Sequence, residues 1–265
     1  MLNMIQLSKR LQTIADRVTQ GYRLADIGSD HALLPVYLVQ SGKCPSAVAG
    51  ELNDGPFQAA RRQTAEAGLA ARISVRQGDG LAVLSPGEAD TVVIAGMGGS
   101  LMATILETGF LAGRLKGAKE LVLQPNVGED LVRKWLVLRG FALLDETILE
   151  EDGRFYEVLH AAPLPDAAER NGHLYDPAFL DVQMPHAAAA GWLYRMGPCL
   201  LRSAEQHETL TDKWRQELLK LERICSGLAQ SDTEEARSRL ASFRAEINQI
   251  GEVLACLPMV KRSSR

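Results

Sequence analysis

What this chain lacks narrows it first. Its 265 residues hold four cysteines, Cys44, Cys199, Cys225 and Cys256, and no two stand at CxxC spacing. No zinc knuckle or redox dithiol is encoded, which leaves free buried thiols and a reducing compartment as the reading. No run approaches the roughly 18 apolar residues that span a bilayer. The opening MLNMIQLSKRLQTIADRV has its basic residues inside an amphipathic pattern rather than ahead of an apolar core, so it is no signal peptide. The expectation is a soluble, cytoplasmic protein with no membrane contact. Basic charge is not in excess either: 29 Lys and Arg face 33 Asp and Glu, net −4, which leaves only local basic patches for an anionic partner. No His/Cys/Asp/Glu cluster has metal-ligand spacing, so no metal is expected. No obligatory protein partner is visible.

What is present is an alternation. Ile5, Leu7, Leu11, Ile14, Ala15 and Val18 recur at helical spacing. Strand candidates Arg23–Ile27, Ala47–Glu51, Ile73–Arg76, Thr91–Ala95 and Glu120–Leu123 then alternate with helix candidates His31–Gln40, Pro56–Ala67, Ser100–Leu111 and Glu129–Arg139. This predicts an α/β fold with a parallel sheet covered on both faces. The rhythm breaks at Phe141–Leu149 and Phe155–Ala161, which a turn-like EEDG joins into a hairpin. A seventh, antiparallel strand is foreign to a six-stranded dinucleotide-binding sheet. It points to the Rossmann-like, class I sheet of S-adenosylmethionine-dependent methyltransferases. The expected domains are this sheet over 1–162, a linker or loosely structured insert over 163–191 with four prolines, and a helical coiled-coil hairpin over 192–265. Ser231 with Glu234, or Asp232 with Glu235, offers a capping box for its second helix.

Ligands of doubly wound sheets bind at the carboxyl ends of the strands. Asp26, Gly28, Ser29, Asp30 and His31 follow the first strand, and Glu51 and Leu52 end the second. Asp79, Gly80 and Leu81 follow the third, and Gly96, Met97 and Gly98 the fourth. Gly28 allows close backbone approach. Glu51 can accept from both hydroxyls of a ribose. Asp79 can accept from an adenine amine, with Leu81 as an apolar wall, and the Gly96–Gly98 stretch leaves room beside a reacting methyl. Two acids in the first turn repel a pyrophosphate. They suit S-adenosylmethionine, which carries a sulfonium and an ammonium group. Bland readings compete: Asp26 and Asp30 as helix caps, Glu51 as a solvated strand end, Met97 as core.

LSKRLQTIA, ADIGSDHALLP, GPF with RRQTAEAGL, ISVRQGDGL, IAGMGG, LQPN and LEEDGRFYEV together resemble the bacterial tRNA adenine-22 N1-methyltransferase family, TrmK. The likeness is close over about Leu7 to Leu159 and extends to the C-terminal helices in pattern. Leu33 departs from it, standing where the family often has a tyrosine. The resemblance implies S-adenosylmethionine as methyl donor, N1 of a D-arm adenine in tRNA as acceptor, a small coiled-coil domain, and an acidic pocket residue at Asp30.

Adenine N1 has an in-plane lone pair and can attack a sulfonium methyl directly, so the protein's task is alignment and exclusion of water. Methylation leaves positive charge on the base. Asp30 is the candidate that stabilises this charge or takes a proton, and Asn126 the candidate that holds the base edge. Enzymes acting on the exocyclic amine carry an Asn/Asp-Pro-Pro-aromatic stretch after strand four, where this chain reads AGMGG. Lys9, Arg10, Arg61, Arg62, Arg133 and Lys134 are candidate RNA phosphate contacts, and Lys213, Arg215, Lys220 and Arg223 of the helical hairpin can brace tRNA. The competing functions are methyl transfer to a protein or small molecule, and non-catalytic RNA binding on the same fold.

Overall fold

The computed structural model describes residues 5–257. The outermost residues of the first and last expected domains, 1–4 and 258–265, lie outside them. The chain divides into two compact units, Met1–Asn171 and Gly172–Arg265.

The first unit opens with α1 (Lys9–Arg17). Its N-cap Ser8 accepts from the Leu11 N–H, and Ile14 and Ala15 face inward. A seven-stranded sheet follows. Its strands are β1 (Leu24–Ile27), β2 (Ala47–Glu51), β3 (Ile73–Gln77), β4 (Thr91–Gly98), β5 (Glu120–Val127), β6 (Ala142–Glu151) and β7 (Arg154–Ala162), in the order β3-β2-β1-β4-β5-β7-β6. The intervening helices are α2 (Leu33–Gln40), α3 (Asp54–Glu66), α4 (Gly99–Leu111) and α5 (Glu129–Leu138). Every residue of β1 and β2 is buried. That is why both strands, apart from the buried acids Asp26 and Glu51, read as apolar rather than as an alternation. β7 runs antiparallel to β5 and to β6, as the hairpin signal implied. Sequence order reverses direction at β1, which lies between β2 and β4. A cleft therefore opens at the carboxyl ends of β1 and β4.

Three boundaries differ from the sequence reading in ways that shape this cleft. β4 runs on to Gly98 and β5 to Val127. The two strands carry their pairing past a register shift at Ala95–Met97, so AGMGG and QPN are strand ends rather than free loops. α2 starts at Leu33, not His31, because Asp30, His31 and Ala32 all adopt positive φ.

The stretch 163–191 carries more structure than a linker. α6 (Ala167–Leu174) forms there, and within the first unit its Asn171 donates to the Phe141 carbonyl and accepts from the Leu143 N–H. Pro177 opens a 3-10 turn capped by Asp176, and Pro185 is the N-cap residue of α7 (His186–Met196). These prolines sit where a helix begins and their missing N–H is harmless, so they punctuate short helices rather than prevent them.

In the second unit α7 is followed by α8 (Pro198–Arg202) and the long pair α9 (His207–Leu228) and α10 (Glu234–Ala255). Trp192 and Trp214 meet edge to face, with Arg195 over the Trp192 ring at 4.1 Å. The cap of α10 is Thr233, whose hydroxyl accepts from the Ala236 N–H. It replaces both capping boxes expected from Ser231 and Asp232.

Candidate active site

The first turn is built around a buried acid. Asp26 lies inside β1 and accepts the Ser29 hydroxyl at 2.6 Å. It is therefore no helix cap. Gly28 has φ +70°, and a Cβ there would stand 2.3 Å from the Met97 Cε. The N–H groups of Gly28 and Ser29 both donate to the Gly50 carbonyl. Asp30, His31 and Ala32 then take φ values of 46°, 71° and 58°. Three successive non-glycine residues in the left-handed region cost on the order of 1–3 kcal/mol each and persist only when their surroundings hold them. Glu51 supplies such a hold: the backbone N–H groups of His31 and Asp30 donate to its carboxylate. Glu51 is buried, not a solvated strand end, and its Oε1 has no protein partner. Desolvation pushes its pKa up. The N-cap of α2 is Ala32, with no side-chain cap, so Asp30 does not cap that helix either.

The opposite wall is an amide network. Gln124, fully buried, accepts at Oε1 from Arg10 Nη1 at 2.7 Å and from the Gly96 N–H at 3.2 Å. Its Nε2 donates to Asn126 Oδ1, and Asn126 Nδ2 donates to the Gly96 carbonyl at 2.7 Å. The Arg10 guanidinium lies 5.6 Å from the Tyr156 ring centre. Between the walls is a cavity of about 430 Å³. The sequence-predicted Asp26, Gly28, Ser29, Asp30, Gly96, Met97 and Asn126 all line it.

The other predicted residues lie around this cavity rather than on its wall. Leu52 is 58% exposed at the end of β2, and Asp79 is exposed after β3. His31 is solvent-facing, with its Nε2 3.5 Å from Asp30. Gly80 has φ +50° and Gly98 is the N-cap of α4. Leu81 is no apolar wall. Its side chain is core, packed so closely on α4 that a Cβ at Gly109 would meet it at 2.3 Å. The cavity also recruits Gln124's partner Arg10, together with Arg154 and Tyr156 from β7. Neither Arg154 nor Tyr156 was singled out as a site residue. The available signal was their period-two spacing in GRFYEV, which places both on one face of a strand.

The family model for tRNA (adenine(22)-N(1))-methyltransferase matches residues 24–252. The tRNA (adenine(22)-N(1))-methyltransferase of Bacillus subtilis strain 168 is 44% identical over 254 residues, covering 96% of this chain and 99% of that protein. The chain belongs to the tRNA (adenine(22)-N(1))-methyltransferase family. The crystal structure of the B. subtilis M1A22 tRNA methyltransferase TrmK superposes with a TM-score of 0.79 at 43% identity, over 94% of this chain and 99% of that one. Streptococcus pneumoniae Sp1610, solved in complex with S-adenosyl-L-methionine, gives 0.75 at 38% identity over 94% of this chain and 100% of that one.

In this family member the expected basic contacts separate sharply. Lys9, Arg61, Arg62 and Lys134 are exposed. Lys134 is paired with Asp130, and Lys9 Nζ donates to the Glu150 carbonyl. Arg10 faces the cavity. Arg133 is the correction: it is 0% exposed and ion-paired to both Glu146 and Glu157. Adjacent residues on a helix point about 100° apart, so Arg133 faces the sheet while its neighbour Lys134 faces water. A basic pair read from sequence cannot be a shared surface here. Among the described residues no helix is long and apolar enough to cross a membrane.

Proposed function

We propose that this protein transfers the methyl group of S-adenosylmethionine to N1 of adenine 22 in tRNA. The observation that carries the reading is a cavity at the switch point of a methyltransferase-type sheet, with buried Asp26 and exposed Asp30 on one wall and an amide network on the other. The residues fit the cofactor. Glu51 Oε1 is a buried acceptor with no protein partner. It matches a ribose hydroxyl, and desolvation of that atom is offset only when a donor reaches it. Gly28, Ser29 and Gly96–Gly98 bring backbone close, and Asp26 sets negative charge beneath a cationic ligand. His31, Leu52, Asp79, Gly80 and Leu81 would complete the cofactor's surroundings, Leu81 by backbone only. When bound, the cofactor supplies an electrophilic sulfonium methyl.

The chain's own groups do the rest. Asn126 has one N–H on Gly96, which leaves its second N–H for the base edge. Asp30 sits where positive charge spreads over the methylated ring. Adenine N1 faces its partner in a duplex, so the target must be unpaired or turned out of the stack. Lys9, Arg61, Arg62 and Lys134 are the remaining exposed candidates for tRNA phosphate, and the cytoplasm is where this substrate would be met. The deciding assay incubates the protein with labelled S-adenosylmethionine and tRNA and analyses the nucleosides. We expect 1-methyladenosine, lost when adenine 22 is replaced. Cofactor binding without any methylated adenine would redirect the search to a protein or small-molecule acceptor.

Asp26 makes cofactor binding pH-dependent. Burial raises its pKa to about 7; Glu51 and Asp30 add to the rise, while Ser29 and Arg10 oppose it. A cationic ligand favours the ionised form. S-adenosylmethionine affinity should therefore fall about tenfold from pH 8 to pH 6, and Asp26→Asn should flatten that dependence. The ligand-free fold has the opposite sign. A raised carboxyl pKa contributes stability at acid pH that is lost as pH rises through about 7. The thermal shift given by the cofactor should accordingly grow with pH. Titration calorimetry across this range checks both, and an affinity independent of pH would remove Asp26 from the cofactor's field.

A further inference from the structure

The cavity is charged differently on its two sides. Asp26 and Asp30 stand at the β1 side, whereas Arg10 and Arg154 stand on α1 and β7. The two arginines are not equivalent. Arg10 is committed to Gln124 and lies over Tyr156. The Arg154 side chain is exposed and, among the described residues, makes no hydrogen bond or ion pair.

Its isolation is built into the hairpin. Arg154 is the first residue of β7, after a tight turn through Asp152 (φ 52°) and Gly153 (φ 72°). Its cross-strand partner in the register is Glu151, the acid placed to neutralise it. The Glu151 carboxylate is turned away, accepting the N–H of Lys9 at 2.5 Å and that of Arg10 at 3.4 Å at the start of α1. A guanidinium at the cavity's rim is thus left with its fork of donors open. Open forks of this kind match phosphate oxygens in a bidentate way.

We propose that Arg154 binds a backbone phosphate of the target nucleotide, holding the displaced adenosine at the cavity mouth. The inference rests on the methyl-transfer reading above. S-adenosylmethionine contains no phosphate, and its cationic groups suit the acidic side. A nucleotide turned out of its stack brings its phosphate to the rim while its base enters. The competing anion is the carboxylate of the cofactor's methionine moiety, and the test separates the two.

The test compares the wild type with Arg154→Ala and Arg154→Lys, measuring tRNA KM and kcat, cofactor affinity, and the salt dependence of tRNA binding. For Arg154→Ala we expect tRNA KM to rise about tenfold, with the loss falling on KM rather than kcat and cofactor affinity unchanged. The slope of log affinity against log salt should shrink by about 0.7–0.9, the release expected for one phosphate contact. Arg154→Lys should restore the slope, since the charge returns, but only part of the affinity, since the fork does not. An unchanged KM and slope in Arg154→Ala overturns the proposal. So does a loss of cofactor affinity in place of tRNA affinity, which gives the guanidinium to the methionine carboxylate. A wild type that makes no 1-methyladenosine overturns the underlying reading, and is distinct from an active wild type with an indifferent variant. The side chain is exposed, and matching melting curves for all three proteins confirm that folding is not being measured.

Discussion

Asp30→Asn lowers kcat for tRNA methylation about 10²-fold and leaves S-adenosylmethionine affinity nearly unchanged. The expectation follows from where the carboxylate is and what it does not do. It lines the cavity, caps no helix and, among the described residues, has the exposed His31 imidazole 3.5 Å away as its side-chain neighbour. The carboxylate is therefore available to the charge that develops on the adenine ring as N1 gains a methyl. Removing one preorganised electrostatic partner costs about 10²–10³ in turnover. Asp30 is 84% exposed at its side chain, which places it at the lower end of that range. Asn is the informative replacement. It tolerates the left-handed φ of 46° as Asp does, so it removes charge without removing the turn. Ala lacks that tolerance and adds a conformational penalty to the electrostatic one. Glu51→Ala is the contrast: it removes the acceptor for two backbone N–H groups and the candidate ribose acceptor together, so the loss appears in cofactor affinity. Single-turnover rates and calorimetry on the three variants separate the roles. Equal loss of cofactor binding in Asp30→Asn and Glu51→Ala would move Asp30 from the reaction into the cofactor site.

The β1 side of this cavity was legible because it is local. Asp26, Gly28, Ser29 and Asp30 fall within five residues, and the strand-to-helix alternation says which end of the sheet they occupy. The side formed by α1, β5 and β7 was not, because it is assembled across the chain. Arg10 and Gln124 are 114 residues apart, and their bond exists only because α1 folds onto the sheet beside β5 and β7. No periodicity in a single sequence reports that docking. Tyr156 read correctly as a strand residue and Arg154 stood one residue ahead of the expected strand, but their facing the cavity depends on β7 inserting between β5 and β6. Leu81 shows the converse limit. GDGL marks a turn at the right strand end, yet only tertiary packing reveals that its leucine points into α4. At Thr233 three adjacent residues could each have capped α10, and local chemistry alone does not choose among them.

Arg133→Met destabilises the first unit by about 3–5 kcal/mol, the range for removing one partner of a buried charge cluster. Arg133, Glu146 and Glu157 each have side chains at 0% exposure. Arg133 Nε donates to Glu146 Oε1 at 2.6 Å, and Nη2 reaches Glu157. The two glutamates come from β6 and β7, where Glu157 pairs with Ile148 and Glu146 with Leu159. They are diagonal neighbours on one face, close enough to repel. Without the guanidinium, two buried carboxylates lose the cation that both of them bind. For a unit of this size the loss should lower the melting temperature by roughly 10 °C. Glu146→Gln with Glu157→Gln in the Arg133→Met background should recover part of it, because the uncompensated charges rather than the missing contacts carry most of the penalty. Arg133→Lys should fall between, keeping a charge but losing the fork that reaches both acids. The same variants decide between the two roles that a basic residue on α5 can have. A phosphate-binding arginine would leave the melting temperature alone and weaken tRNA binding with a reduced salt slope. A structural one moves the melting temperature and leaves the salt slope of the surviving folded protein as it was.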